Sequence, residues 1–104
     1  VGRRPDGRTI LIDWAYPGQA APCWDLTWYL ALNRARLPES KEETVARYRA
    51  RLESHGVETG GWWERQLGLS LLGMTAVLAW EKAVGDQKEL DWWERAALEG
   101  ARWL

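Results

Sequence analysis

The residues best placed to do chemistry are two carboxylates twelve positions apart, Asp13 and Asp25. Asp13 closes the apolar run Ile10-Leu11-Ile12, and Trp14 follows it. An apolar strand that ends in a carboxylate sets one charged oxygen at the mouth of a crevice. A hard Mg²⁺ carried by nucleotide phosphates takes one or two such ligands, with water completing its shell. Asp25 stands at a helix start, where a carboxylate can accept backbone N–H bonds. Each also has a plainer reading: turn former for Asp13, helix cap or loop brace for Asp25.

The other reactive side chains read as structural. His55, the one histidine, precedes Gly56 at a helix end, where it complements the dipole. Cys23 reads as a small buried apolar residue; as the only cysteine it excludes an internal disulfide and any cysteine-cluster metal site. The pairs Trp62-Trp63 and Trp92-Trp93 could stack on a sugar or a quaternary amine. At helical spacing they read instead as core and rim, with one indole of each pair turned away from the other. Arg34, Arg36, Lys41, Arg47, Arg49 and Arg51 alternate with Glu39, Glu42, Glu43 and Glu53, which describes a solvated helix face. Glu64, Glu81, Asp91 and Glu94 could line an acidic cleft for a polycationic acceptor, and surface solubility explains them equally well.

The elements that must position these residues follow from turn signals and periodicity. Pro5-Asp6-Gly7 is a turn and Thr9 to Ile12 a strand, which becomes a hairpin if Val1 to Arg3 is the end of a preceding strand. Ala15 to Ala21 is a loop. From Pro22 to about Ala35 the pattern is helical, with Trp24, Trp28 and Leu32 beside Leu26 and Leu30, which predicts a helix buried on most sides. Ser40-Lys41-Glu42-Glu43 is a capping box. The helix it opens carries Val45, Tyr48 and Leu52 on one stripe, expects ion pairs Glu43–Arg47 and Arg49–Glu53, and closes at His55-Gly56. A third helix from about Gly61 to Val84 is apolar nearly all round, the pattern of a core helix, and Gly85 stops it. A fourth opens near Asp86 or Asp91. The expected fold is mainly α: a short β-strand or hairpin, then about four helices.

Composition agrees with one soluble globular domain. The chain has 104 residues, 46% hydrophobic and 28% charged. A net charge of -1 gives no reason to expect nucleic acid or an anionic membrane as partner. Nine tryptophans and no phenylalanine require a core or interface built around indoles. The charge-free stretch from Gln66 to Trp80 is short for a membrane span and interrupted by small polar residues. The lone thiol fits a cytoplasmic location. A start at Val1 rather than Met fits either a chain cut from something longer or an alternative start codon.

Ile12-Asp13-Trp14, then Gly18, Pro22 and Asp25-Leu26, resembles the I-D-W … G … P … D-L block of the aminoglycoside phosphotransferase and choline kinase-like family. That family has a protein-kinase-like fold, and its I-D-W stands where kinases have D-F-G. The resemblance implies that Asp13 coordinates the Mg²⁺ bridging the ATP phosphates, that Ile12 lies beneath the nucleotide, and that Asp25 braces the catalytic loop. The Trp-rich helices are similar to the C-terminal lobe in which the family binds its phosphate acceptor. The family's His-x-Asp-x-x-x-x-Asn catalytic loop, Gly-rich loop and strand lysine all precede the block and are absent here, so no catalytic base is present.

The sequence therefore reads as a single partial domain, residues 1–21 forming the hairpin and metal-loop segment and 22–104 the helical lobe. It is expected to belong to an ATP-dependent enzyme phosphorylating a hydroxyl of an aminoglycoside-, choline- or sugar-like small molecule. Alone it is expected to be inactive and to need the N-terminal lobe in cis or trans. The alternative is a free-standing Trp-rich helical module that docks a partner without catalysis.

Overall fold

The computed structural model describes residues 2–10 and 18–104. Strands β1 (Gly2–Arg3) and β2 (Thr9–Ile10) pair antiparallel, with Gly2 opposite Ile10 and Arg3 opposite Thr9. The turn between them takes the predicted form. Gly7 adopts φ +84°, a conformation that L side chains rarely adopt. The Asp6 carboxylate accepts the Arg8 N–H at 3.1 Å. Four helices follow, α1 (Pro22–Leu32), α2 (Lys41–Ser54), α3 (Trp63–Gly85) and α4 (Gln87–Ala101), so the mainly α expectation holds.

Helix ends obey local chemistry. Pro22 opens α1 in the first turn, where its missing N–H costs nothing. The helix stops at Leu32, earlier than the predicted Ala35, where Asn33 leaves helical geometry and its side-chain amide donates to the Tyr29 carbonyl at 3.0 Å. The Ser40/Glu43 capping box forms in full. Glu43 is thereby committed to Ser40, and Arg47 pairs with Glu39 rather than with the predicted Glu43. Arg49 and Glu53 pair as expected, at 3.1 Å. His55 caps α2, its Nδ1 2.8 Å from the Arg51 carbonyl oxygen, and Gly56 turns the chain at φ +85°. Asp86 alone joins α3 to α4, ending one helix and capping the next through the Glu89 N–H.

The core gathers Cys23, Leu26, Leu30, Trp63, Leu71, Met74 and Trp93, with Val45, Tyr48 and Leu52 of α2 packed against it. One indole of each tryptophan pair goes inward, Trp63 and Trp93, and its neighbour forms the rim. Burying one indole removes about 150–250 Å² from water, worth on the order of 4–6 kcal/mol before entropy is counted. Helices α3 and α4 lie antiparallel and in backbone contact. A Cβ at Gly68 would stand 2.5 Å from the Gly100 carbonyl oxygen, and one at Gly100 2.9 Å from the Gly68 Cα.

Two helices are less enclosed than their sequences predict. Helix α1 is not buried on most sides, because Trp28, Tyr29 and Leu32 are exposed. Helix α3 passes the length and hydropathy test for a membrane span, yet only 28% of its apolar window is buried. Leu69, Val77, Trp80 and Val84 recur along its outer side, Trp80 at 67% and Val84 at 85% exposure. The physical reason is that, among the described residues, α1 and α4 pack closely along α3 while α2 reaches only its first turn through side chains, too little cover for a helix apolar on every side.

Candidate functional site

The start of α1 is pinned from two directions. The Cys23 N–H donates to the Gln66 side-chain oxygen of α3 at 3.3 Å, and the Tyr48 hydroxyl of α2 donates to the Pro22 carbonyl at 3.3 Å. Burial, with smaller contributions from Asp25 and Cys23, raises the Tyr48 pKa and keeps the hydroxyl a donor. Cys23 is fully buried, and burial pushes its thiol up to about 11. It is the small apolar core residue the sequence suggests.

On this fixed turn Asp25 and Leu26 part company. Leu26 enters the core at 2% exposure, while Asp25 stays exposed. The N-cap residue, Ala21, brings no side-chain cap, so Asp25 supplies the negative charge that complements the first turn. Its carboxylate borders an open recess between α1 and α2, together with Tyr29, Glu39, Arg47 and Arg51. Ile12 and Asp13, the expected nucleotide and metal residues, lie outside the described residues, as do Trp14 and the first three residues of the expected loop. Among the described residues no three His, Cys, Asp or Glu side chains converge on one point. Asp25 is the one carboxylate of the Ile12–Leu26 run among the described residues.

Sequence reasoning missed two buried polar groups that hold the helices. The Lys82 ammonium, 1% exposed, donates to the Ala31 carbonyl at 2.7 Å and pairs with Glu81 at 2.6 Å. Helix α1 has no basic residue in its last turn, and α3 supplies one across the interface. Glu81 also accepts from Arg34 at 3.1 Å; hydrogen bonds from Lys82 and then Arg34 hold its pKa below the ordinary carboxylate value. The second group is Glu89, buried, which accepts the Trp93 indole N–H at 3.0 Å and pairs with Lys41. Glu89 had a signal in its position, since it falls on the Trp93–Ala97 side of α4. Lys82 had none, because α3 is apolar on every side and gives no phase.

The four candidate acidic residues do not gather into a cleft. Glu64 pairs with Arg49 at 2.9 Å, Glu81 with Lys82 and Arg34, and Asp91 accepts from Gln87 at 2.7 Å. Of the four, only Glu64 borders the open recess between α2, α3 and α4. The basic residues form the expected mixed face, with Arg49 shared among Glu53, Thr59 and Glu64. No known protein family, no curated protein and no solved structure matches this chain.

Proposed function

We propose that this chain is the C-terminal part of an ATP-dependent phosphotransferase that passes the γ-phosphoryl group to a hydroxyl of an aminoglycoside-, choline- or sugar-like acceptor. The observation that carries the reading is the spacing of Ile12-Asp13-Trp14, Gly18, Pro22 and Asp25-Leu26. In support, α1 follows the β-hairpin in the chain, and Pro22, Asp25 and Leu26 all fall at its start. Asp25 is also presented outward from a helix start fixed by Gln66 and Tyr48, which suits a brace for a segment packed outside this chain.

In this reading Asp13 contributes a carboxylate oxygen to the magnesium that accompanies ATP, and the bound ion neutralises phosphate charge. Ile12 supplies an apolar surface beneath the nucleotide. Asp25 orders the catalytic loop, whose base comes from the N-terminal part. The location is cytoplasmic, where ATP is supplied and the Cys23 thiol stays reduced. The chain alone carries no base and turns over no nucleotide.

The test begins with the reading frame that precedes the Val1 codon. A His-x-Asp-x-x-x-x-Asn motif within the preceding few tens of residues is expected. The longer protein then transfers phosphate, and Asp13→Asn lowers its kcat by about a hundredfold or more. Full activity in that variant would overturn the role of Asp13. Asp13-dependent turnover by the 104 residues alone would overturn the need for an N-terminal lobe. The second reading, a Trp-rich docking module, is favoured by the exposed outer side of α3. A preceding frame without the motif, together with a stable cooperative fold for this chain, is the outcome that selects it.

A further inference from the structure

We infer that the outer side of α3 is the surface through which two copies of this chain pair, their α3 helices antiparallel about a two-fold axis between Ala76 and Val77. The face follows from the helical period. Leu69, Gly73, Val77, Trp80 and Val84 recur every three or four residues along one side of α3, with Ala76 beside them. The charged Glu81 and Lys82 lie off this stripe, held by Arg34 and by the Ala31 carbonyl. Helix α1 widens the face. It runs parallel to α3, since Cys23 bonds Gln66 near one end and Ala31 accepts from Lys82 near the other. Its Trp24 lies over Gly73, where a Cβ would come within 3.0 Å of the ring. Trp28 and Leu32 continue from Trp24 at four-residue steps, and both are exposed.

Area, fit and charge each favour a second copy as the occupant. Trp28, Leu32, Leu69, Val77, Trp80 and Val84 together leave roughly 650 Å² open to water, against about 800 Å² for each partner of a standard interface. That is more contiguous apolar surface than a monomeric protein ordinarily presents. The stripe also fits itself. A two-fold axis between Ala76 and Val77 sets Leu69 opposite the partner's Val84. It sets Trp80 opposite the partner's Gly73, where the Trp24 indole is seated. Short side chains therefore meet at the axis and allow close approach, and indole meets indole about one turn out, twice by symmetry. Charge agrees with the same register. Arg65 is exposed one turn before Leu69 on the same side. The axis brings it to the C-terminal end of the partner's α3, where the last carbonyls and Asp86 carry negative charge. A membrane surface or an unrelated apolar helix could cover this area, but neither calls for that register. None of these residues is one of the Ile12, Asp13, Trp14, Gly18, Pro22, Asp25 and Leu26 set, so the inference does not rest on the phosphotransferase reading.

The experiment is sedimentation equilibrium of the full chain over about a hundredfold range of concentration, joined to disulfide trapping. A reversible monomer–dimer equilibrium is expected. Trp80→Glu weakens it by about tenfold or more, and Arg65→Glu by about threefold to fivefold. Trp103→Glu, at an exposed indole that borders the recess between α2, α3 and α4, leaves it unchanged. The circular dichroism of each variant keeps the helical spectrum, since all three positions are exposed. Under mild oxidation a mixture of Leu69→Cys and Val84→Cys chains yields a crosslinked dimer, neither variant alone does so, and the buried Cys23 contributes none. A chain that stays monomeric, one that grows into open-ended aggregates, or a dimer indifferent to Trp80→Glu overturns the inference. So does trapping of Leu69→Cys with itself, which requires a parallel pairing. Co-sedimentation of a monomeric chain with phosphatidylcholine vesicles would overturn it too, by assigning the face to a membrane.

Discussion

At the scale of single residues, the strongest constraint is the Gly68–Gly100 contact. A methyl group at either position meets backbone, which cannot rotate away as a side chain can. Gly68→Ala is therefore expected to destabilise the fold by about 1–3 kcal/mol, measured as a lower urea midpoint with the helical spectrum retained. Lys82→Met removes the donor that satisfies the Ala31 carbonyl and leaves a buried acceptor open. The expected cost is about 1–3 kcal/mol, read in the same denaturation experiment. Cys23 gives a pH-dependent test. Burial raises its thiol from 9.0 to about 11, so the folded state favours the neutral form. That contribution to stability is complete below pH 9 and lost as pH rises through about 11. The loss of stability between those values is expected to be smaller in Cys23→Ala than in the unaltered chain. At pH 8 the thiol is expected to react with a disulfide reagent no faster than the protein unfolds.

At the scale of elements, α2 differs from the other three helices. It buries no residue completely and is attached through side chains: Tyr48 against Trp63, Lys41 to Glu89, Glu42 to Trp92 and Arg49 to Glu64. Its local capping therefore carries more of its stability than capping does in α3. Ser40→Ala, which removes the N-cap acceptor, is expected to cost about 1 kcal/mol. Hydrogen exchange is the suitable measurement, with protection lost first along Lys41–Ser54 while α3 and α4 stay protected. Uniform loss across all four helices would show instead that α2 folds with the core as one unit.

At the scale of the whole molecule, the outer side of α3 presents Leu69, Val77, Trp80 and Val84 to solvent. Trp80→Glu with Val84→Glu is expected to leave the urea midpoint within about 0.5 kcal/mol, since both side chains are mostly in water. The same change is expected to reduce concentration-dependent association in light scattering. The helices, their caps and the hairpin turn were legible in the sequence because each depends on residues within a few positions of one another. Pro5-Asp6-Gly7, Ser40 with Glu43, His55-Gly56 and Asp86 all behave as their local chemistry dictates. The Ile12–Leu26 run was likewise visible as a pattern of spacing. What the sequence could not disclose were facts of distance between elements: that Gly68 lies against Gly100, that Lys82 reaches Ala31, and that Glu89 lies beneath Lys41 and Trp93. The apolar pattern of α3 predicts a core helix, and only the number of helices packed beside it decides how much of it meets water. The recess between α2, α3 and α4 is of the same kind. Its lining comes from those helices and from Trp103 beyond α4, and only the close contact of α3 with α4 and the stand-off of α2 leave an open space between them.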